Sequence, residues 1–459
     1  MENRNKELVA QEAENSFNEK TKQPSIQEAS TALIKYGGFG IVETTVDGAQ
    51  NLNPEKPARK KIFLSEDSKK EERNALKKRL QLILEQLASS DTVATMIENA
   101  QTKADNAQVL LNKNVKNALT ATYNLEQSYR AVNNFFKNTD QDKLKNVFVM
   151  NAAMDQLTDL DNTVFIDAVS EELQKNYDRL DLRENYSLMV IPGYLGSKKV
   201  IDKWARVANK SKVMLVTDFA HLEGPDDVID IFESADLAGG DIYLSNVMMT
   251  CNWLVGRGKQ QDVGEEHDLF VPPSTALAGK VYSTLMSQVT AGRKYGALNE
   301  VDGVRFPLKK SEIAQLEKIG LIPMVNEYGK VMPFSAKTLF NGDNIGLQTY
   351  SVVRVFDYVT KVLIDFLNRR AFENFNVNTR MDIQKQIVKF LDSITGPGKL
   401  IEKFKILRFE QDPKQKDRIF LDIHMVPYFP AKNFMIKLDG HKGDDPDSAE
   451  WQAEYAQNK

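Results

Sequence analysis

The sequence predicts a mixed α/β (α+β) protein. It has a helical amino-terminal region, a central βαβ sheet domain, and a carboxy-terminal domain of helices followed by antiparallel strands. Three observations carry this. Between residues 65 and 136 apolar residues recur at three- and four-residue spacing, the period of a helix buried on one side. Between residues 145 and 247 short apolar runs alternate with helical stretches, the pattern of strands joined by crossover helices. After residue 351 two amphipathic helices lead into "KDRIFLDIHMVPYFPAKNFMIKL" (416–438), where apolar and polar residues alternate on either side of a Pro-Tyr-Phe-Pro break.

The first thirty or so residues are rich in Glu, Asn, Gln and Lys and read as an arm, in which Leu8, Val9, Ala13 and Phe17 line one face of a short helix. Glycines and prolines then punctuate two strand-like runs, 40–46 with Ile41 and Val42, and 60–64 with Ile62 and Phe63. From Ser65 a helix places Leu76, Leu80, Ile83, Leu84 and Leu87 on one face. A second helix begins near Asp91 and a third spans 107–136. Strands are predicted at 145–150, 186–193, 212–219 and 240–247, with helices at 197–208 and 225–237 between them. Residues 252–347 are rich in Gly and Pro. Helices at 275–289 and 310–319 stand out there, and 320–344 reads as loops and short strands. The helix at 351–370 carries a stripe of Val352, Phe356, Val359, Leu363 and Phe366. A helix at 381–394 ends at "TGPGK", strands follow at 404–410, 418–426 and 433–438, and the acidic tail is expected to be loosely docked. The implied divisions are 1–64, 65–140, 141–345, 346–440 and 441–459.

Sixty Lys and Arg stand against 64 Asp and Glu, a net charge of −4, with 42% hydrophobic and 27% charged residues. That is the balance of a globular protein, and it gives no bulk electrostatic basis for binding nucleic acid. The single cysteine, Cys251, fits a reducing compartment. The four histidines have no zinc-ligand spacing. No apolar run approaches the roughly 20 residues of a membrane span, and the first residues are too polar for a signal peptide. A cytoplasmic protein without cofactor or membrane insertion is expected.

Candidate chemistry is thin. "VIPGYLGSKKV" (190–200) follows a strand and opens a helix, where phosphates bind in many α/β proteins, but supplies only Gly193 and Gly196 of the full motifs. "VGRGKQ" (255–260) and "YGGFG" (36–40) are equally partial, and each reads better as a turn. Cys251 follows an apolar strand and reads as a buried thiol. Asp226 and Asp227 after Pro225 mark a helix start. Arg354, Arg369 and Arg370 are candidates for an anion site, or for the polar face of their helix.

The carboxy-terminal block resembles the large sheath subunit of the bacterial type VI secretion system. Gly329, Ala336, Thr338 and Leu339 match the family's segment before the long helix, Arg354 its arginine near the helix start, and Phe372 and Glu373 its aromatic-Glu pair. Gly396 and Gly398 match the glycine-rich turn before the strands. Upstream, "LEQSYRAVNNFF" is similar to the family's Leu-Glu-x-x-Trp-Arg-Gly-Leu helix through Leu125, Glu126 and Arg130, with Tyr129 and Ala131 as substitutions. The departures look most like the Bacteroidetes branch.

The resemblance implies a structural protein with no catalysis. Such a subunit pairs with a small sheath subunit and with copies of itself. The pairs stack on a baseplate around an inner tube protein, contract to deliver effectors, and are recycled by a AAA+ unfoldase. It further implies roles for residues. Either Ile41 and Val42 or Ile62 and Phe63 would belong to the donated strand, and Phe420, Ile423, Phe434 and Ile436 to the receiving sheet. Leu125 and Arg130 would lie on a small-subunit or core helix. Arg354, Phe356, Arg369 and Arg370 would lie on a sheath-domain helix whose polar face meets the tube. Leu8, Val9 and Phe17 would form the unfoldase-recognised helix. Two other readings stand beside it: the sheath of a phage-tail-like particle, and a nucleotide-binding α/β enzyme with a phosphate site at 193–198 or 256–259.

Overall fold

A computed structural model describes residues 57–88, 92–140, 144–179, 182–432, 434–440 and 451–456. The chain forms two compact units, Met1–Val115 and Lys116–Lys459.

In the first unit α1 (Pro57–Ser65) and α2 (Lys70–Ala88) are joined by a 3₁₀ turn, Asp67–Lys69. The strand expected at 60–64 is therefore helix. Pro57 opens it at a position that needs no N–H donor. The Arg73 guanidinium closes it, donating to the carbonyls of Phe63 at 2.8 Å and Glu66 at 2.6 Å. Ile62 and Phe63 thus spend their backbone groups inside a helix, and the Phe63 ring is only 1% exposed. They are not the donated strand. Ile41, Val42, Leu8, Val9 and Phe17 lie outside the described residues.

The two helices predicted from residues 91 and 107 are one, α3 (Val93–Asn138), of 46 residues. The polar stretch read as a break is spanned by hydrogen bonds one turn apart, Gln101 to Asp105 at 2.9 Å and Gln108 to Asn112 at 2.7 Å, which support a helix with no apolar stripe. The short helices α4 (Met154–Thr158) and α5 (Val164–Tyr177) follow, neither of them foreseen. No strand forms at 145–150; Phe148 and Val149 are exposed in irregular chain.

The second unit is built on β1 (Leu188–Ile191), β2 (Met214–Asp218), β3 (Val247–Cys251), β7 (Leu321–Glu327) and β8 (Lys330–Pro333), one sheet in that order. β1, β2, β3 and β7 are parallel and β8 returns antiparallel. The crossovers are α6 (Lys198–Lys210) and α7 (Pro225–Ala235), close to their predicted positions. The run predicted as a strand at 240–247 is a 3₁₀ turn, Ile242–Asn246, and pairing starts only at Val247.

Both faces of the sheet are covered, so β2 is buried at every position and its side chains alternate between two cores. Leu215 packs with Ile201, Trp204 and Phe219 beneath α6 and α7. Met214 and Val216 pack with Leu277 and Val281 of α8 (Ser274–Ser283) on the other side. A small antiparallel sheet, β5-β4-β6 (Leu269–Val271, Leu254–Arg257, Gly303–Val304), lies between β3 and β7 in the chain. α9 (Gly292–Tyr295) lies between α8 and β6, and α10 (Lys310–Lys318) follows β6.

Helix α11 (Tyr350–Arg369) and α12 (Val377–Ser393) pack on the hairpin of β9 (Ile401–Gln411) and β10 (Ile419–Pro427). Their shared core includes Val355, Val359, Ile387, Leu391 and Phe409, with Ile423 partly buried against it. The third strand, β11 (Met435–Gly440), does not extend that hairpin. It pairs antiparallel with β12 (Trp451–Ala456), from the tail expected to be loosely docked. Pro427, the last residue of β10, and Pro430 beyond it supply no N–H, so the ladder stops there.

Candidate functional site

The glycine-rich turns that invited a phosphate are occupied by the chain's own carboxylates. The Gly193 amide donates to Asp218 at 2.8 Å. The Lys259 amide donates to Asp268 at 2.9 Å, and the Gln260 amide to Glu265 at 2.8 Å. Burial pushes the Cys251 thiol far up, away from nucleophile chemistry. No group of His, Cys, Asp or Glu among the described residues is placed to hold a metal.

The Leu-Glu-x-x-Tyr-Arg segment divides its residues between two faces of α3. Glu126 accepts from Arg130 at 2.8 Å and from Arg257 at 3.1 Å. Arg257 also reaches Glu265 at 2.7 Å, and Arg130 donates to the Gly256 carbonyl at 2.9 Å. This alternating network clamps α3 onto β4. Burial raises the Glu126 carboxyl, but hydrogen bonds from Arg257 and Arg130 outweigh it and hold the group below the usual range. The hydrogen bond to Glu265 likewise raises Arg257. Further along, α3 crosses α8 so closely that a Cβ on Gly279 would lie 2.4 Å from the Phe135 carbonyl oxygen. Arg130 is thus a core-side residue. Leu125, at 71% exposed, Tyr129, at 67%, and Val132, at 43%, form an apolar stripe facing away from it.

The carboxy-terminal candidates separate too. Phe420 and Ile423 lie on β10, which among the described residues has β9 as its only hydrogen-bonded neighbour. Phe434 and Ile436 are about half exposed, and Ile436 belongs to the separate β11–β12 ribbon. Each of these two-stranded sheets leaves strand edges unpaired among the described residues.

Arg354 does not lie on a polar outer face. It is 8% exposed, its Nη1 meets no partner among the described residues, and burial pulls it down to about 10. Phe356, placed on the buried stripe by its spacing, is 38% exposed. Arg369 pairs with Asp365 at 2.9 Å, and Arg370 with Glu373 and Asp382, each at 2.8 Å.

Sequence reasoning missed a ladder on α11. Asp357, Lys361 and Asp365 follow one another at four-residue spacing. Asp357 accepts from Asn246 at 2.7 Å and faces Lys212 at 3.9 Å. Lys361 donates to the Tyr186 carbonyl at 2.7 Å, and Asp365 accepts the Leu182 amide at 3.3 Å. Each rung meets a different element of the central layer. The signal was in the sequence as a charge every fourth residue, but an apolar stripe on the same helix drew the reading.

Burial pulls Lys361 down to about 8, below the ordinary lysine value of about 10.4. The folded state therefore binds this proton less tightly than the unfolded chain. The cost of the buried charge is fully present below about pH 8 and fades as pH rises toward 10.4. Relative to Lys361→Met, the wild type should gain about 1–2 kcal/mol between about pH 8 and pH 10. Denaturant melts of both proteins measure it; parallel curves would show that the charge is not buried.

Family models match the chain in three consecutive blocks. These are the TssC/VipB-like N-terminal region at residues 26–115, the type VI secretion system TssC/VipB central domain at 117–341, and the TssC/VipB-like C-terminal domain at 349–457. No curated protein matches in sequence. Among solved structures the chain is similar to one of the anti-feeding prophage baseplate, six-fold symmetrised, at 17% identity and a TM-score of 0.41, covering 54% of this chain and 65% of that one. It therefore spans just under two thirds of that protein. The anti-feeding prophage helical sheath in its contracted state matches at 16% identity and TM-score 0.49, over 68% of this chain and 81% of that one. The sheath complex of an extracellular contractile injection system (PVC), also contracted, matches at 16% and 0.45, over 67% and 89%. No helix among the described residues is long and apolar enough to cross a membrane.

Proposed function

Since this chain belongs to the TssC/VipB family of the type VI secretion system, we propose that it is the large subunit of a contractile sheath. The observation that carries the reading is the match of all three family regions, in order, along the chain. The subunit pairs with a small sheath subunit, and the pairs polymerise with one another into a helical tube around an inner tube, starting from a baseplate. Contraction of that tube drives effectors into a target cell, and a AAA+ unfoldase recycles the spent sheath. The protein acts in the cytoplasm and catalyses nothing.

Two surfaces support this reading. The unpaired edges of β9–β10 and β11–β12 suit strand addition by neighbouring chains, which links subunits through backbone hydrogen bonds. The stripe of Leu125, Tyr129 and Val132 suits an amphipathic partner, and we assign it to the small subunit. Co-expression of the chain with a small sheath subunit should yield long hollow tubes by negative-stain microscopy. A discrete complex of fixed small mass under all conditions would overturn the reading.

A further inference from the structure

A buried carboxylate sits at the carboxyl end of β2. Asp218 is 0% exposed, and each of its oxygens receives one amide and one hydroxyl. Oδ2 accepts from the Gly193 amide at 2.8 Å and from Ser274 Oγ at 2.6 Å. Oδ1 accepts from the Ser274 amide at 2.7 Å and from Thr250 Oγ1. The donors come from three separate segments: the turn after β1, the end of β3 and the first turn of α8. The two amides can only donate, so the site demands an acceptor at both oxygens. Thr217 Oγ1 holds the Gly193 carbonyl at 3.0 Å, and Gly193 has φ +94°, where a side chain would be strained. This is the carboxyl edge of a parallel sheet beside a helix amino terminus, the place where open α/β folds bind anionic ligands.

We infer that the chain fills this site with its own carboxyl group. Asp218 fills an oxyanion seat built from Gly193, Thr250 and Ser274, ties three connections to one side chain, and closes this edge of the sheet to a ligand's phosphate. The same arrangement recurs on a smaller scale at the second glycine turn, where Asp268 and Glu265 take the amides of Lys259 and Gln260. Burial without a counter-cation raises the Asp218 carboxyl, and the four hydrogen bonds it accepts oppose that rise. The seat is a property of one chain and holds whether or not the chain polymerises, so its test and that of the sheath reading fail separately.

The test uses thermal melts of the full chain. Asp218→Asn keeps the shape but turns an N–H toward a donor, and should lower the melting temperature by about 5–10 °C. Asp218→Gly empties the seat. Formate, a free carboxylate of matching size, should then restore several degrees saturably while moving the wild type by no more than about 1 °C. Equal responses to formate, or an Asp218→Asn protein that melts with the wild type, would overturn the inference. Should Asp218→Gly not fold, Ser274→Ala supplies the second arm. Alone it should lower the melting temperature, and combined with Asp218→Asn the two losses should be less than additive, because both disturb the same contact. Fully additive losses would count against the seat.

Discussion

Removal of residues 1–56 should leave the chain folded and abolish its assembly into tubes. The cut must stop there. Residues 57–64 are not spare arm: Phe63 is buried within α1, and Arg73 of α2 caps that helix's carbonyls. A deletion through residue 64 would strip both contacts and confuse misfolding with lost linkage. With the shorter deletion the melting temperature should stay within about 2 °C. If the arm supplies the strand that completes a neighbour's sheet, its loss removes a set of backbone hydrogen bonds that no side chain can replace. Tube number in micrographs of the co-expressed pair should fall by roughly two orders of magnitude, since a few kcal/mol per junction is repeated at every junction. Tubes of normal length would exclude the arm as the donor.

Leu125→Glu combined with Tyr129→Glu should abolish co-purification with the small subunit without lowering the melting temperature of the chain. Both side chains are largely exposed, so the substitutions cost little in the isolated subunit. Burying two carboxylates against an apolar partner costs several kcal/mol, a loss of at least about a thousandfold in affinity. Arg257→Ala is the informative contrast. It opens the clamp between α3 and β4, leaves Glu126 and Glu265 close together without their shared cation, and should lower the melting temperature. A double-glutamate variant that still binds its partner in equal amounts would remove this face from the interface.

Much of the architecture was legible from periodicity. β2 is a run of apolar residues buried on both sides, and α6, α7 and α11 carry strong one-sided patterns, so their positions followed within a few residues, whereas β3 begins only where the run at 240–247 ends. Failures arose where composition and long-range contact disagree. "KKIF" reads equally as strand or helix over so few residues, and Pro57 and Arg73 decided it. The tail looked acidic and loose, yet "WQAEYA" alternates at period two and pairs with β11. Arg354 reads as surface because arginine normally is. Nothing local shows that the first turns of α11 are buried on almost every side. At the site level, the family motif located Glu126 and Arg130 but could not say which of its residues face inward. That depends on Arg257 and Glu265, more than a hundred residues away.

The ladder on α11 alternates in sign: Asp357, Lys361, Asp365. Were the helix to slide one rung, about 6 Å, every charge would meet the wrong neighbour. Lys361 would face Lys212 and Asn246, and Asp365 would face the Tyr186 carbonyl oxygen. An apolar seam would forgive such a slip almost without cost, because one branched aliphatic side chain replaces another. Here a misplacement of one turn is penalised at every step, so the helix behaves like a key whose teeth admit a single depth. In the sheath proposed above, where one part would be copied many times in a row, that protection against small errors of alignment would keep each copy identical to the last.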